Sequence, residues 1–149
     1  AGTVRAIGVS NFTVALMEEA VGELGDGIAC NQVEYHLLLS QKAVLDHARK
    51  HGIVVTAYCP LARGKLAGNA VVERVAKKHG KSVSQVALRW LVEQKGVTAI
   101  PRTSTEKHAR ENFSVFDFAL DAEDRRALDA LPAKTRVVNP GWSPDWDAA

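Results

Sequence analysis

Polar side chains end four short apolar segments of this 149-residue sequence, and their groups suit the binding of a small polar molecule. The segments, each with its polar end, are residues 7–11, 30–35, 54–60 and 97–103. The ends supply hydroxyl, amide, phenol and guanidinium groups, which donate and accept hydrogen bonds. A helical pattern follows each segment, so the polar ends should meet at one edge of a parallel sheet, where βα folds place their chemistry. The sequence therefore predicts half of a cofactor site.

The composition is typical of a globular protein that acts on small molecules. With 46% apolar and 24% charged residues, a chain of this length should bury roughly 70% of the surface that it exposes when unfolded, and one domain is expected. The net charge is +2, and basic and acidic residues are interspersed without a block of one sign. This distribution argues against nucleic acid or a membrane surface as the partner.

The two cysteines, the lack of long apolar runs and the first residues bear on metal binding and on location. Cys30 and Cys59 have no CxxC spacing and no cluster of histidines and cysteines nearby, so we predict buried thiols and no metal site. No run approaches the ~18 apolar residues of a membrane-spanning helix, and the first residues lack a secretory pattern, so a cytoplasmic location is expected. The chain starts at Ala1 without a methionine, which suits either a processed start or a cut within a loop.

Hydrophobic periodicity predicts four βα units that position the polar ends. Strands should begin near residues 4, 28, 53 and 97, and helices should cover about 12–24, 40–51, 69–78, 82–91, 103–112 and 121–131. Ser40 is the expected N-cap of the second helix, and Ser82 with Gln85 has the pattern of a capping box. Trp90 lies on the core-facing stripe of the fourth helix. We divide the chain into a folded unit, 1–131, and an irregular tail, 132–149.

Two architectures can hold four parallel strands. An open doubly wound sheet usually binds phosphate through a glycine-rich first turn, but residues 8–12, Gly-Val-Ser-Asn-Phe, lack the GxGxxG pattern. The unequal spacing of the strands also excludes a solenoid repeat. The predicted fold class is therefore α/β, a (βα)4 array with one extra helix that forms half of a TIM (β/α)8 barrel.

Five motifs in order resemble the C-terminal half of the aldo-keto reductases. They are Gly-Val-Ser-Asn-Phe at 8–12, Asn-Gln-Val-Glu-Tyr-His at 31–36, Ala-Tyr-Cys-Pro-Leu at 57–61, Ile-Pro-Arg-Thr at 100–103 and Glu-Asn-Phe at 111–113. The likeness covers essentially the whole chain and is greatest to bacterial members of the 2,5-diketo-D-gluconate reductase type. It implies strands five to eight of a TIM barrel that binds NADPH. It also implies that the full-length protein reduces a small carbonyl substrate, namely an aldehyde, ketone or keto-sugar.

The resemblance assigns the nicotinamide of that cofactor to four residues. Ser10, Asn11 and Gln32 match the residues that hydrogen-bond the nicotinamide carboxamide in the family. Their hydroxyl and amide groups supply the donors and acceptors that an amide needs. Tyr58 matches the tyrosine whose flat ring stacks under the nicotinamide, a task that suits an aromatic side chain.

The resemblance also assigns the rest of the cofactor. The segment after Tyr58 matches the loop that covers the pyrophosphate, the residues after the fourth strand match those that hold the adenosine 2′-phosphate, and the next helix contacts the adenine amino group. A cation, hydroxyls and a helix N-terminus together suit a phosphate. In chain order the implied residues are Cys59, Pro60, Leu61, Pro101, Arg102, Thr103, Ser104, His108, Glu111 and Asn112.

The chain departs from the family pattern in ways that bear on its chemistry. His108 stands where many members carry an arginine, which leaves the preference for NADP over NAD open. The family's catalytic Asp, Tyr, Lys and His lie on the first four strands of its barrel, and the Tyr donates the proton. Neither Tyr35 nor Tyr58 matches that tyrosine. We therefore assign no catalytic residue and expect this chain alone to be close to inactive.

Some of these residues keep a purely structural alternative when the resemblance is set aside. Ser10 and Asn11 would form a turn and begin a helix. Gln32 would be a hydrogen-bonded core amide, and Tyr58 would be a packed aromatic side chain.

Two tryptophans and one histidine have open alternatives even within the family. Trp142 and Trp146 are either anchors of the tail or part of a loop that covers the substrate. His108 is either a solvated helix residue or a weak phosphate contact.

A non-catalytic alternative is a fragment that self-associates. Half of a barrel leaves unpaired strand edges at residues 4–9 and 97–100, and exposed edges recruit partners. We therefore expect either a homodimer of half-barrels or a complex with the missing N-terminal half.

Overall fold

Four parallel strands pair in chain order in the computed structural model, which describes residues 2–147. They are β1 (Ile7–Ser10), β2 (Ile28–Glu34), β3 (Val54–Tyr58) and β4 (Val97–Ala99). The same residues form six α-helices: α1 (Val14–Leu24), α2 (Lys42–Lys50), α3 (Ala70–His79), α4 (Val83–Val92), α5 (Glu106–Phe113) and α6 (Ala122–Asp129). A helix follows each strand, and α4 and α6 are additional. The structure therefore has two helices beyond the four βα units, whereas one extra helix was predicted.

The helices pack on one face of the sheet and leave the opposite face partly exposed. Val33, Val55 and Ala57 lie in a buried cluster with apolar residues of α1, α2 and α4. Since side chains alternate along a strand, the residues between them point to the other face. On that face Gln32 is paired in register with Ser10 of β1 and with Thr56 of β3, and Thr56 is paired with Thr98 of β4. A polar row thus crosses all four strands on the open face.

One glycine permits the close packing of β1 against β2 on this open face. A Cβ atom at Gly8 would lie 2.5 Å from Sγ of Cys30, which is shorter than real Cβ contacts. Cys30 and Cys59 are both free thiols, but they are half-buried and not buried as predicted. Cys30 is half-buried because it lies on the sheet face that the helices do not cover.

Trp90 connects the two halves of the core. It packs against both buried clusters, and its ring centroid lies 5.4 Å from that of Tyr35. It was predicted as a core residue, but it is only half-buried because its indole Nε1 reaches outward and donates a hydrogen bond to Asp129 at 2.8 Å.

Every described α-helix except α2 begins after a residue whose side chain caps its first turn. Asn69 caps α3 at the predicted start of that helix, Ser82 caps α4 as predicted, and Gln85 completes the capping box of α4. Ser40 is not the N-cap of α2; Gln41 occupies that position without a capping side chain. The amide of Gln41 is used elsewhere, since its Nε2 donates to the main-chain oxygen of Glu34 at 2.7 Å.

Removing the Ser82 hydroxyl is expected to destabilise the fold modestly. Ser82 Oγ accepts a hydrogen bond from Gln85 N at 3.2 Å, and Gln85 Oε1 accepts one from Ser82 N at 2.9 Å. The Ser82→Ala variant should lose about 1 kcal/mol of the free energy of unfolding, measured by urea denaturation. Ser104→Ala, at an exposed bend, is the matched control and should stay within about 0.5 kcal/mol of the wild type. Equal losses in both variants would contradict this role of the cap.

β1 begins at Ile7, not near residue 4 as predicted, and two other strands end early because the chain turns there. The strand expected over 28–36 ends at Glu34, after which Leu39 N bonds back to His36 O at 2.9 Å. The last strand ends at Ala99, although Ile100 N still donates to Ala57 O at 3.1 Å. Pro101 has no N–H to continue the ladder.

This parallel α/β arrangement is consistent with part of a (β/α)8 barrel. Its identity as half of such a barrel stays a prediction.

None of the helices within residues 2–147 has the length and apolar run needed to cross a bilayer. Over the same residues no three or more His, Cys, Asp or Glu side chains are grouped so as to hold a metal ion.

Candidate functional site

The candidate site begins with three side chains at the carboxyl ends of β1, β2 and β3. Ser10, Gln32 and Tyr58 alternate with the buried, helix-facing residues of their strands, so all three lie on the open face of the sheet. Ser10 is exposed, and its Oγ donates to Gln32 O at 3.1 Å. Gln32 and Tyr58 are half-buried. The sheet thus brings together three of the four residues expected around a nicotinamide.

Asn11 is the fourth of these residues, and it carries an unpaired polar atom. Its φ of 58° places the backbone in the left-handed region, and its main-chain N–H donates to Gln32 O at 2.9 Å. The side chain lies beside the Tyr58 hydroxyl, yet its buried Oδ1 accepts no hydrogen bond within the described part of the chain. Leaving a buried acceptor unpaired costs about 1–3 kcal/mol. A ligand N–H would remove that cost.

Tyr58 keeps its proton at neutral pH. Burial raises the pKa of its phenol above the ordinary value of 10.0, and the negative charge of Glu34 raises it further. An uncharged phenol ring in this position can stack on a flat ligand ring or donate a hydrogen bond.

The loop after β3 has an unusual backbone. Cys59, Ala62 and Arg63 all have left-handed φ angles, at 48°, 49° and 51°, although none is a glycine. Main-chain hydrogen bonds hold the loop in this shape, from Ala62 N to Cys59 O at 2.8 Å and from Gly64 N to Leu61 O at 3.0 Å. Non-glycine residues in this conformation are uncommon, and they cluster at functional sites.

The residues expected around the 2′-phosphate precede or begin α5. Arg102, Thr103 and Ser104 are exposed just before the helix, and His108 is exposed in its first turn. Thr105 caps the helix, with Oγ1 accepting from His108 N at 3.2 Å. The Thr105 hydroxyl is therefore already used, whereas the Arg102 guanidinium faces solvent.

The two residues expected at the adenine lie further along α5 and are half-buried. Gln85 Nε2 of α4 donates to Glu111 O at 3.0 Å and so fixes this part of α5. Asn112 lines an apolar groove of about 380 Å³ together with Pro101, Thr103 and other residues of α4, α5 and the segment that follows. The predicted residues thus form two groups, one around Tyr58 and one beyond β4.

Sequence reasoning missed a buried carboxylate next to the first group. Glu34, at the end of β2, is fully buried. Its Oε1 accepts from Val137 N at 2.6 Å, and its Oε2 accepts from Val138 N at 2.8 Å. Burial alone would raise the pKa of this carboxyl, but the hydrogen bonds from His36, Val137 and Val138 outweigh burial and hold the pKa below its ordinary value.

His36 uses both of its ring nitrogens in hydrogen bonds. Its Nδ1 accepts from Leu38 N at 3.2 Å, so its proton is on Nε2, which lies 3.0 Å from Glu34 Oε1. His36 Nε2 thus donates to the Glu34 carboxylate. The one sequence signal for this arrangement was a glutamate within an apolar strand, because a charge there must be paired.

The tail passes over the ends of β2 and β1. Thr135 N donates to Leu38 O at 2.7 Å, and at the far end Asp147 Oδ2 accepts from Val14 N at 2.9 Å. Trp146 anchors the tail internally, with the Arg136 guanidinium 3.8 Å from its ring centroid. Trp142 remains 80% exposed and serves as no such anchor.

Comparison with known proteins gives the family. The model of the aldo/keto reductase family matches residues 1–133. The glyoxal reductase of Bacillus subtilis is 44% identical over 144 residues, which are 97% of this chain and 51% of the relative. The solved structure of a putative 2,5-diketo-D-gluconic acid reductase B is 46% identical, with a TM-score of 0.92 over 99% of this chain and 53% of its own.

A third similar protein was solved with a bound cofactor. It is a variant of Gox0644 in complex with NADPH, 33% identical, with a TM-score of 0.79 over 83% of this chain and 45% of its own. The chain spans about half the length of the curated relatives that it matches. The family model covers most of the chain, and the first four of the five ordered motifs fall at the strand ends of the sheet. This chain belongs to the aldo/keto reductase family.

Proposed function

We propose that this chain supplies the NADPH-binding part of a reductase that converts a small aldehyde, ketone or keto-sugar to an alcohol. The observation that carries the proposal is the cluster of Ser10, Gln32 and Tyr58 on the open sheet face, beside the unpaired buried oxygen of Asn11. The reductase names of the similar proteins and the NADPH complex of one of them support it.

The residues of the first group fit a nicotinamide. Its carboxamide NH₂ is the kind of donor that Asn11 Oδ1 lacks, and its carbonyl can accept from the Gln32 amide. The Ser10 hydroxyl donates to Gln32 O, so it can only accept a ligand N–H. The Tyr58 ring supports one face of the nicotinamide and leaves the other toward the substrate. Once bound, NADPH supplies the hydride.

The second group fits the rest of the cofactor. Arg102, Thr103 and Ser104 hold the 2′-phosphate with a charge-assisted contact and hydroxyls, and His108 adds a weaker contact from the first turn of α5. The loop of Cys59, Pro60 and Leu61 covers the pyrophosphate, and Glu111 with Asn112 contacts the adenine amino group. Pro101 lies two residues after β4 and stops the hydrogen-bond ladder, so that the phosphate-binding residues follow it. Trp142, exposed on the tail, is available to cover the substrate.

Proton transfer requires residues outside these 149. A tyrosine that donates the proton needs a pKa close to the working pH. Burial instead raises the pKa of Tyr35 to about 12, and its hydroxyl already donates to Gln94 Oε1 at 2.8 Å. The pKa of Tyr58 is raised as well. Neither tyrosine is therefore suited to act as the acid.

Titration of the 149-residue chain with NADPH, followed by nicotinamide fluorescence, tests the cofactor site. The wild type should bind, and Gln32→Leu should weaken binding about 10-fold because it removes one ligand hydrogen bond. Thr98→Val lies in the same polar row but on the β4 edge, and it is the matched control with unchanged affinity. No binding by a folded wild type, or equal weakening by both variants, would contradict the site.

Turnover is tested separately, by following NADPH absorbance with glyoxal as substrate. The chain alone should consume no NADPH above the rate without protein. Steady consumption would overturn the statement that the proton donor lies outside these residues. A non-catalytic role through self-association would rest on a different observation: within residues 2–147, the outer sides of β1 and β4 pair with no other strand.

A further inference from the structure

Two histidines lie one helical turn apart at the end of α2, on a face that meets α1. His47 is in the last turn of α2, and His51 directly follows the helix. Side chains at positions i and i+4 are neighbours on a helix surface. The two imidazole rings are close together, with centroids 4.5 Å apart and planes tilted by 30°. Because α2 packs on the helix-covered face of the sheet, this pair is separate from the open-face site.

His47 carries a buried ring nitrogen that no group in the described part of the chain uses. Its side chain is only 9% exposed, and its Nε2 is buried without a hydrogen-bond partner. The other ring nitrogen, Nδ1, lies 4.0 Å from Oε1 of Glu18 on α1. Attraction to this carboxylate favours the tautomer that carries its proton on Nδ1. The lone pair is then on Nε2, where it is available to a ligand.

The surroundings keep His47 uncharged and favour an added positive charge. Burial lowers the pKa of its imidazole below the ordinary value of 6.5, and His51 lowers that pKa further. The ring is therefore neutral at pH 7, which is the form that binds a metal ion. Glu18 and Asp147 act on His47 with negative charge, whereas Lys50 acts with positive charge. The three charges sum to a negative field, which attracts a cation.

We propose that His47 and His51 together bind one divalent transition-metal ion of the class of Zn²⁺, Ni²⁺ and Cu²⁺. Imidazole nitrogen suits these ions, whereas Mg²⁺ and Ca²⁺ prefer oxygen ligands. Two nitrogens bound to one such ion lie about 3 Å apart. His51 is exposed, so rotation of its side chain can bring a ring nitrogen to that distance from His47 Nε2. The described residues offer no group of three ligands, and water completes the coordination.

Glu18 is the positioning residue of this site. A metal-binding histidine usually donates its second N–H to a carboxylate, which fixes the ring and makes it a stronger ligand. The Glu18 side chain is 67% exposed, and a small rotation brings its carboxylate within hydrogen-bond distance of His47 Nδ1. The folded chain brings α1 and the end of α2 together, so a bound ion should stabilise the folded state.

Calorimetric titration with NiCl₂ near neutral pH tests the site, on the 149-residue chain purified without a histidine tag. One ion should bind per chain, and MgCl₂ should give no binding. His51→Ala and His47→Ala should each weaken Ni²⁺ binding about 10- to 100-fold, because a single histidine cannot chelate the ion. His108→Ala is the matched control, since this histidine is exposed on α5 without a second histidine one turn away. It should bind Ni²⁺ as the wild type does.

The role of Glu18 has its own pair of variants. Glu18→Gln should weaken Ni²⁺ binding several-fold, because the amide attracts the His47 N–H less strongly than the carboxylate does. Glu19→Gln removes the same charge from the exposed side of α1 and should leave the affinity unchanged. Equal weakening by both variants would contradict a positioning role for Glu18.

Thermal unfolding with and without ZnCl₂ gives a second measurement. The ion should raise the melting temperature of the wild type but not that of His51→Ala. His51 is exposed, so this variant should remain folded by circular dichroism even if His47→Ala does not. A folded wild type that binds no Ni²⁺ would overturn the proposal. So would a His51→Ala variant that binds as tightly as the wild type, which would place the ion elsewhere, for example at the thiol of Cys30 or Cys59.

Discussion

Glu34→Gln is expected to lower the free energy of unfolding by about 3 kcal/mol at pH 7. The carboxylate is fully buried and receives hydrogen bonds from Val137 N, Val138 N and the His36 ring. A glutamine offers one acceptor oxygen, and its NH₂ group faces a donor. The variant therefore loses a charged acceptor and leaves at least one buried N–H without a partner. Urea denaturation followed by circular dichroism measures the loss.

The pH dependence of this loss has a definite sign. The folded-state pKa of Glu34 lies below its ordinary value of 4.5. The carboxylate therefore contributes stability that is fully present above pH 4.5 and is lost as the pH falls through the folded pKa. The difference in stability between wild type and Glu34→Gln should be constant from pH 7 down to about pH 5 and should shrink below pH 4.5.

The matched control for Glu34 is Glu19→Gln on the exposed side of α1. It removes the same charge, and it should change the free energy of unfolding by less than about 0.5 kcal/mol both at pH 7 and below pH 4.5. A Glu34→Gln variant as stable as this control would show that the buried carboxylate does not hold the tail. A difference from wild type that grows as the pH falls would contradict the lowered pKa.

Arg102→Ala is expected to weaken NADPH binding about 10- to 100-fold and to leave NADH binding unchanged. A charged hydrogen bond to a phosphate contributes about 1.5–3 kcal/mol, and the two cofactors differ only in the 2′-phosphate. Arg102 is exposed, and its pairing with a ligand carries no cost from a broken internal contact. Fluorescence titration with both cofactors gives the ratio of affinities, and a rise in salt should reduce the NADPH preference.

Two further variants make this prediction specific. Arg126→Ala, exposed on α6, removes the same charge away from α5 and should leave the ratio unchanged. His108→Arg adds a permanent charge in the first turn of α5 and should tighten NADPH binding several-fold. An equal loss of NADPH and NADH affinity in Arg102→Ala would contradict a 2′-phosphate contact, because it would indicate damage to the whole site.

Much of the fold was predictable because it depends on local patterns. Apolar periodicity identified the strands and helices to within a few residues, and the capping residues Asn69, Ser82 and Asp121 were correctly read as helix starts. The prediction for Ser40 was wrong because a long-range contact decided it. The chain at Ser40 pairs with the tail, through a bridge of Leu39 with Lys134 and through a hydrogen bond from Ser40 N to Ala133 O at 2.9 Å.

The sequence predicted that certain polar residues would lie at the strand ends, but it did not indicate what surrounds them. The ordered motifs located Ser10, Gln32 and Tyr58, and strand alternation was enough to place them on one face. The sequence did not indicate that Glu34 binds the tail or that Arg136 stacks on Trp146. Glu34 and its tail partners are about 100 residues apart along the chain, with separations of 103 and 104.

The sequence by itself determined the family, the order of the elements and the chemical groups at the strand ends, since these depend on residue types and short spacings. Only the tertiary structure decided which polar groups are satisfied. It paired the buried charge of Glu34, left the buried oxygen of Asn11 without a partner, and left the outer sides of β1 and β4 free within the described residues. Hydrogen bonds and burial depend on distances across the fold, and no local pattern contains those distances.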